Sequence, residues 1–371
     1  MKTMEKHGRH KILFLVQLPP PLHGASQMNL YIKESKRINR EFETSYLPLN
    51  FVNRLDQIGK FSFSKVLKML IFPFSLLVRM FMFRPNIVYY TLAPFGGAFY
   101  RDSLFINIIG LFKCKIVVHL HGKGINEELR SGIKRAVYLR TFKYFDGVIL
   151  LSDLLRYDIE KVYTGRVFIV PNGIPDQEIS IIDEVSKNNN DETQLIYLSN
   201  LVKSKGVLEF VKALEILKSK SLPFKAYIVG GGADINIEDL RKKVKKKFPD
   251  GSVAVLGPKY GQEKIDILHT SDVFVFPTYF KNECFPLSIL EAMKMGNAII
   301  STDNGAIKDI IDGCGLIVKQ RDSDSLSEAI EILLNDDKLR EDYKVLSKEK
   351  FKKHFTISMF EDNLINVFNK L

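Results

Sequence analysis

Apolar and polar positions follow two alternating rhythms along this chain. Short apolar runs rich in β-branched residues recur at 12–17, 87–90, 116–120, 147–151 and 167–170. Each is bounded by turn-forming residues, as buried strands are. Stretches with helical spacing lie between several of them. The alternation pauses after Pro171-Asn172-Gly173, where 176–193 is polar and holds Asn188-Asn189-Asn190. It then restarts at 195–198, 226–229, 252–256, 273–276, 298–301 and 315–318, with helical patterns at 207–218 and 237–247. Strand–helix alternation of this kind predicts parallel α/β layers, here in two similar halves. The expected fold class is α/β, two doubly wound domains facing across a cleft. Their ligands would lie beyond the carboxyl ends of the strands.

The most informative segment runs from Pro277 to Gly296. A strand ending near Phe276 enters a loop containing Glu283, and a helix is expected from Pro286, since proline suits the first helical position. Gly296 is placed to end that helix as a left-handed cap. The backbone N–H groups of Phe285, Leu287 and Ser288 would then lie at a helix N-terminus, where a phosphate binds. Glu283 precedes the helix and Glu291 lies just over one turn inside it. Carboxylates accept hydrogen bonds, so the pair suits sugar and ribose hydroxyls rather than phosphate. Alone, two glutamates eight positions apart read as a loop charge and a solvated helix residue.

The surrounding motifs change that balance. The segment resembles the E-x7-E motif of the retaining GT-B glycosyltransferases of family 4. The match includes Phe285 and the run Leu290-Glu291-Ala292-Met293 with Gly296. Pro171-Asn172-Gly173-Ile174, Gly230-Gly231-Gly232, Gly257 with 264–272, Ser301-Thr302 with Gly305, and Asp309-Ile310-Ile311 resemble further motifs of that family, in order. The resemblance implies a GT-B enzyme that moves a sugar from a nucleotide-sugar, with a UDP-sugar as the expected donor. The acceptor would be a glycan or polyprenyl-linked glycan in bacterial capsule, O-antigen or exopolysaccharide assembly. It implies that Glu283 contacts the donor sugar and Glu291 the ribose. It also implies that Lys205, in Ser199-Asn200-Leu201-Val202-Lys203-Ser204-Lys205-Gly206, meets the diphosphate. Asn200 stands where the family has arginine, so a donor site is expected there without its second cation unless Lys203 or Lys259 replaces it. Gly24, after the first strand, and His121, in His119-Leu120-His121-Gly122, are the expected site residues of the first domain. Domains are expected at 1–175 and 176–355, with 356–371 a helix crossing back to the first.

Composition adds a partner class. Lys and Arg total 54 against 43 Asp and Glu, a net charge of +11, which favours anionic partners. No stacking or groove-reading motif points to nucleic acid. Segment 61–84 is apolar with Lys65, Lys68 and Arg79. It reads either as a helix kinked at Pro73 and packed on the first sheet, or as an interfacial anchor whose Phe61, Phe63 and Phe72 meet an anionic membrane. Its longest uninterrupted apolar run, 69–78, is too short to span a bilayer. Residues 1–11 are polar and basic, and the short apolar strand after them leads into prolines, with no apolar region long enough to lead to a small-residue cleavage site, so no signal peptide is expected. The scattered Cys114, Cys284 and Cys314 suggest neither zinc nor disulfides. A cytoplasmic enzyme, peripheral at the inner membrane face, is the expectation. Asp322-Ser323-Asp324 resembles a D-x-D metal motif, but a helical pattern follows it, so Asp324 or Ser323 is expected to be an N-cap and no metal cofactor is expected. Two other outcomes stay open: a GT-B sugar-nucleotide epimerase and a non-enzymatic membrane-bound sugar-nucleotide-binding protein.

Overall fold

The structure is a computed structural model and describes residues 9–51, 63–176 and 192–371. Phe61, most of the polar connection 176–193 and the first eight residues lie outside the described residues. The chain divides into two compact units. Unit 1 is Met1–Asn172 with Ile357–Leu371, and unit 2 is Gly173–Thr356.

Unit 1 carries the strands β1 (Lys11–Val16), β2 (Glu43–Pro48), β3 (Ile87–Thr91), β4 (Lys115–His119), β5 (Gly147–Leu150) and β6 (Val167–Ile169). Its helices are α1 (Gly24–Glu34), α2 (Lys36–Glu41), α3 (Phe63–Phe83), α4 (Gly96–Ile109), α5 (Ile125–Glu128) and α6 (Gly132–Phe142). The strands form one parallel sheet in the order β2-β1-β3-β4-β5-β6. Helices cover both faces, so β3 and β5 are buried throughout and read as unbroken apolar runs. Edge strand β2 is only partly covered, burying just Ser45, and opens with three polar residues, Glu43, Thr44 and Ser45. That is why the apolar pattern misses it.

Unit 2 carries β7 (Gln194–Leu198), β8 (Lys225–Val229), β9 (Val253–Gly257), β10 (Val273–Phe276), β11 (Ala298–Thr302) and β12 (Gly315–Val318). The helices are α7 (Val207–Ser219), α8 (Ile237–Lys247), α9 (Gly261–Thr270), α10 (Leu287–Met295), α11 (Ile307–Ile311), α12 (Ser323–Asn335) and α13 (Asp337–His354). The parallel order is β12-β11-β10-β7-β8-β9, the doubly wound arrangement with its reversal between β7 and β10.

The last helix, α14 (Ile357–Lys370), belongs to unit 1. Phe368 packs edge-on against Phe42 (5.5 Å), Phe14 (5.9 Å) and Tyr89 (5.9 Å), and Arg37 pairs with Asp362. Helix α3 runs on through Pro73. It buries Phe72, Leu76 and Met80, with Phe72 against Phe105 (4.6 Å) and Phe51 (5.4 Å). Phe72 is therefore a core residue and not the interfacial aromatic of the anchor expectation. The opposite face of α3 leaves Leu70, Ile71, Phe74, Val78, Phe81 and Met82 exposed. Among the described residues no helix is long and apolar enough to cross a membrane.

Candidate functional site

Loops that follow the two strands at a sheet's reversal form the crevice where doubly wound sheets bind ligands. In unit 2 those are the loops after β7 and β10, and they carry Lys205 and Glu283. After β7 the chain makes a short 3-10 turn, Lys203–Lys205, and Gly206 follows with φ +86°. A Cβ on Gly206 would lie 2.2 Å from the Pro277 carbonyl oxygen, so only glycine lets the two loops touch. Tyr279 N donates to Ser204 O (2.8 Å) and fixes the same contact.

The loop after β10 is strapped from the other side by the end of β11. Asn304 Nδ2 donates to Phe280 O (2.9 Å), Ala306 N donates to Cys284 O (2.8 Å), and Thr302 Oγ1 donates to Thr278 O. Gly305, at φ +63°, sits so close that a Cβ would lie 2.5 Å from Glu283 O. Glu283 N itself donates to Phe280 O (2.9 Å). The carboxylate is thus held by its backbone before any side chain acts on it.

Lys205 and Glu283 form an ion pair between Nζ and Oε2, and both side chains are largely buried. Thr278 Oγ1 lies 3.4 Å from the same oxygen. The ammonium also stands over the rings of Phe280 (4.7 Å) and Phe276 (5.5 Å), where aromatic faces favour a cation. Glu291 is paired with Lys264, Nζ to Oε1 at 2.7 Å, and is part exposed. Lys259 is occupied by Glu263 at 2.7 Å. Asn200 is exposed at the end of β7. Its neighbourhood explains the triple glycine: a Cβ on Gly230 would lie 1.8 Å from Ser199 O.

Helix α10 begins at Leu287, one residue later than expected. Pro286 is its N-cap, in extended conformation at φ −72°, ψ 119°. Leu287 and Ser288 therefore occupy the first helical positions, whose N–H groups have no partner inside the helix. The buried Phe285 sits just before them, edge-on to Phe355 (5.8 Å). Gly296 closes the helix in the left-handed conformation at φ 77°, as expected. In the Asp322-Ser323-Asp324 segment the cap is Asp322, not Ser323 or Asp324. Its Oδ1 accepts from Asp324 N (3.1 Å) and Ser325 N (2.9 Å).

In unit 1 the sheet reverses between β1 and β3. Gly24 opens α1 after β1, and a Cβ built there meets nothing within 4 Å. His23 caps that helix, Nδ1 accepting from Ser26 N (3.3 Å). Past β4, the His119 and His121 rings lie against each other, tilted by 31° with centroids 4.0 Å apart. Tyr89 Oη meets His119 Nδ1 at 2.6 Å, while His119 Nε2 and both nitrogens of His121 are buried without a partner. Burial drives His119 well below the usual imidazole range, and burial followed by the neighbouring His23 takes His121 down to about 3. Both rings are neutral near pH 7. Among the described residues no three His, Cys, Asp or Glu side chains are grouped to hold a metal.

Two residues that the sequence reading gave no role also hold site candidates: Lys264, on Glu291, and Tyr89, on His119. Their partners lie tens of positions away, as Lys264 does from Glu291, so no local spacing marks them.

Two parallel doubly wound sheets in these strand orders are the architecture of the GT-B glycosyltransferases. Residues 178–350 match the glycosyl transferases group 1 family. That segment belongs to the family, and the chain is a glycosyltransferase with the GT-B fold. It is 25% identical to the capsular polysaccharide biosynthesis glycosyltransferase CapM of Staphylococcus aureus, over 73% of this chain and 78% of that one. It is 34% identical to the N,N'-diacetylbacillosaminyl-diphospho-undecaprenol alpha-1,3-N-acetylgalactosaminyltransferase of Campylobacter jejuni, over 66% of this chain and 60% of that enzyme. Among solved structures, Anabaena HepE in complex with UDP superposes with a TM-score of 0.75 at 16% identity, over 97% of this chain and 100% of that one.

Proposed function

We propose that the chain transfers a sugar, with retention of configuration, from a nucleotide-sugar to a lipid-linked glycan during assembly of a bacterial surface polysaccharide. The Lys205–Glu283 pair at the β7/β10 reversal carries this reading. Lys205 is the cation for the leaving diphosphate, together with the N–H groups of Phe285, Leu287 and Ser288 at the start of α10. Glu283, with one oxygen on Lys205, keeps the other for a donor-sugar hydroxyl, and Glu291 takes the ribose. Asn200 adds a hydrogen bond without charge. The relatives named above support the acceptor class, and the UDP held by HepE supports a UDP-sugar.

In the reaction the bond from sugar C1 to the β-phosphate oxygen breaks, and its electron pair leaves with the nucleoside diphosphate. The acceptor oxygen bonds C1 on the same face, and its proton passes to the departing phosphate. Fixed positive charge where negative charge develops is the main accelerating term. Gly24 and His121 serve the acceptor side, His121 as a neutral hydrogen-bonding ring. No metal cofactor takes part and nucleic acid is not a partner.

The enzyme works in the cytoplasm at the inner membrane face. The exposed face of α3 supports this, since the helix carries no acidic residue and Arg79 and Arg84 flank it. The test is incubation with UDP-, GDP- and ADP-sugars and a polyprenyl-diphosphate-linked sugar, with chelator present. Glycan product is expected from one donor. Donor conversion without a glycan would make the chain an epimerase, and activity lost to chelator would remove the metal-free step.

A further inference from the structure

A shallow apolar groove runs between α3 and the edge strand β2, outside the loops described above. Leu47, Phe74, Val78, Met82 and Phe83 line a cavity of about 620 Å³, with Ser75 and Arg79. Arg79 Nη1 donates to Ser45 Oγ on β2 (3.1 Å). Ser75 also lines a second cavity of about 180 Å³, bounded by Pro48, Asn50, Ile71 and Phe72. Both border Ser75, and together their linings follow α3 from Ile71 to Phe83, a length of about 18 Å at the helical rise.

Three features say what fits there. The wall facing solvent is the exposed stripe of α3, so an apolar occupant can enter from a bilayer without crossing water. The upper end sits at Asn50, whose side chain makes two 3.0 Å hydrogen bonds with the backbone of Leu18. Leu18 belongs to the loop between β1 and α1 that carries Gly24, at the ligand-binding end of the sheet. A chain lying in the groove therefore leads from a membrane-facing helix to the acceptor side of unit 1. Finally, Arg79 is the charged residue of the lining and is tied to Ser45, beside walls that are mostly apolar.

We propose that this groove holds the first isoprene units of the acceptor's polyprenyl chain. The inference rests on the lipid-linked acceptor proposed above and names where its lipid lies. The groove then selects for chain length, and bulk phospholipid does not replace the acceptor in it.

The experiment compares polyprenyl-diphosphate-linked sugars of long and of two-isoprene chains in detergent, for the wild type and for Val78→Trp. Val78 is part exposed, so the larger ring fills the groove without entering the core. In the wild type KM is expected to fall as the chain lengthens. In Val78→Trp the KM of the long-chain acceptor rises on the order of tenfold, the cost of about two methylenes left in water. The short-chain KM and the donor KM do not move. A wild type indifferent to chain length, a variant that shifts both acceptors alike, or an effect erased by added phospholipid overturns the groove. Turnover of water-soluble glycans with no use of any lipid acceptor would instead remove the reading beneath it.

Discussion

At the scale of single residues, the buried histidines carry the clearest physical signature. His121 has two ring nitrogens without partners, which is costly in a folded core and is the mark of a group kept for something other than stability. His121→Phe is expected to leave stability unchanged or raise it by up to about 1 kcal/mol, while transfer falls. The pH dependence follows from the sign of the shifts. The unfolded chain protonates both imidazoles near 6.5, and the folded chain holds His121 neutral down to about 3 and His119 neutral well below its usual range. The unfolded state therefore binds more protons as pH falls below 6.5. Their titration leaves stability unchanged above that value and lowers it as pH falls below it, by up to about 1.4 kcal/mol per pH unit for each ring. Urea unfolding at pH 7 and pH 5 should show a smaller loss in His121→Phe than in the wild type. Equal losses would mean that the ring is not held neutral.

At the scale of elements, the donor-side loops owe their shape to close backbone approach rather than to side-chain packing. Gly305→Ala would place a methyl 2.5 Å from Glu283 O in a left-handed conformation, at a cost on the order of 2 kcal/mol. We expect a lower Tm together with weakened nucleotide binding, because the displaced strap holds the loop that carries Glu283. A variant with wild-type affinity for UDP would show that the loop does not depend on Gly305. These elements also mark what the sequence makes legible. Strands buried on both faces announce themselves as apolar runs, and the helix after Glu283 announces itself through Pro286 and Gly296. Edge strand β2 does not, because it is only partly covered and its first three residues, Glu43, Thr44 and Ser45, are polar. The Lys264–Glu291 pair and the Tyr89–His119 contact are set by tertiary packing across 27 and 30 positions, beyond any local spacing. Helix α3 was legible as apolar and basic. Which of its aromatics face the core and which face outward was fixed by its packing on Phe51 and on Phe105 of α4.

At the scale of the molecule, a net charge of +11 and the apolar stripe on α3 act together. Sedimentation with phosphatidylglycerol vesicles should capture the wild type and release it in high salt, since the charge term is screened within a Debye length of about 8–10 Å. The triple variant Leu70→Ser, Phe74→Ser, Phe81→Ser should stay in the supernatant, and equal binding would exclude α3. The central claim is that Lys205 stabilises the charge leaving on the donor diphosphate. Its most direct test is the transfer rate of Lys205→Gln, which keeps a hydrogen-bonding group on a slightly shorter side chain but removes the charge. The account predicts that UDP still binds and that kcat falls by about 10²–10³, the usual cost of losing such a group. A variant that transfers sugar at the wild-type rate would contradict it.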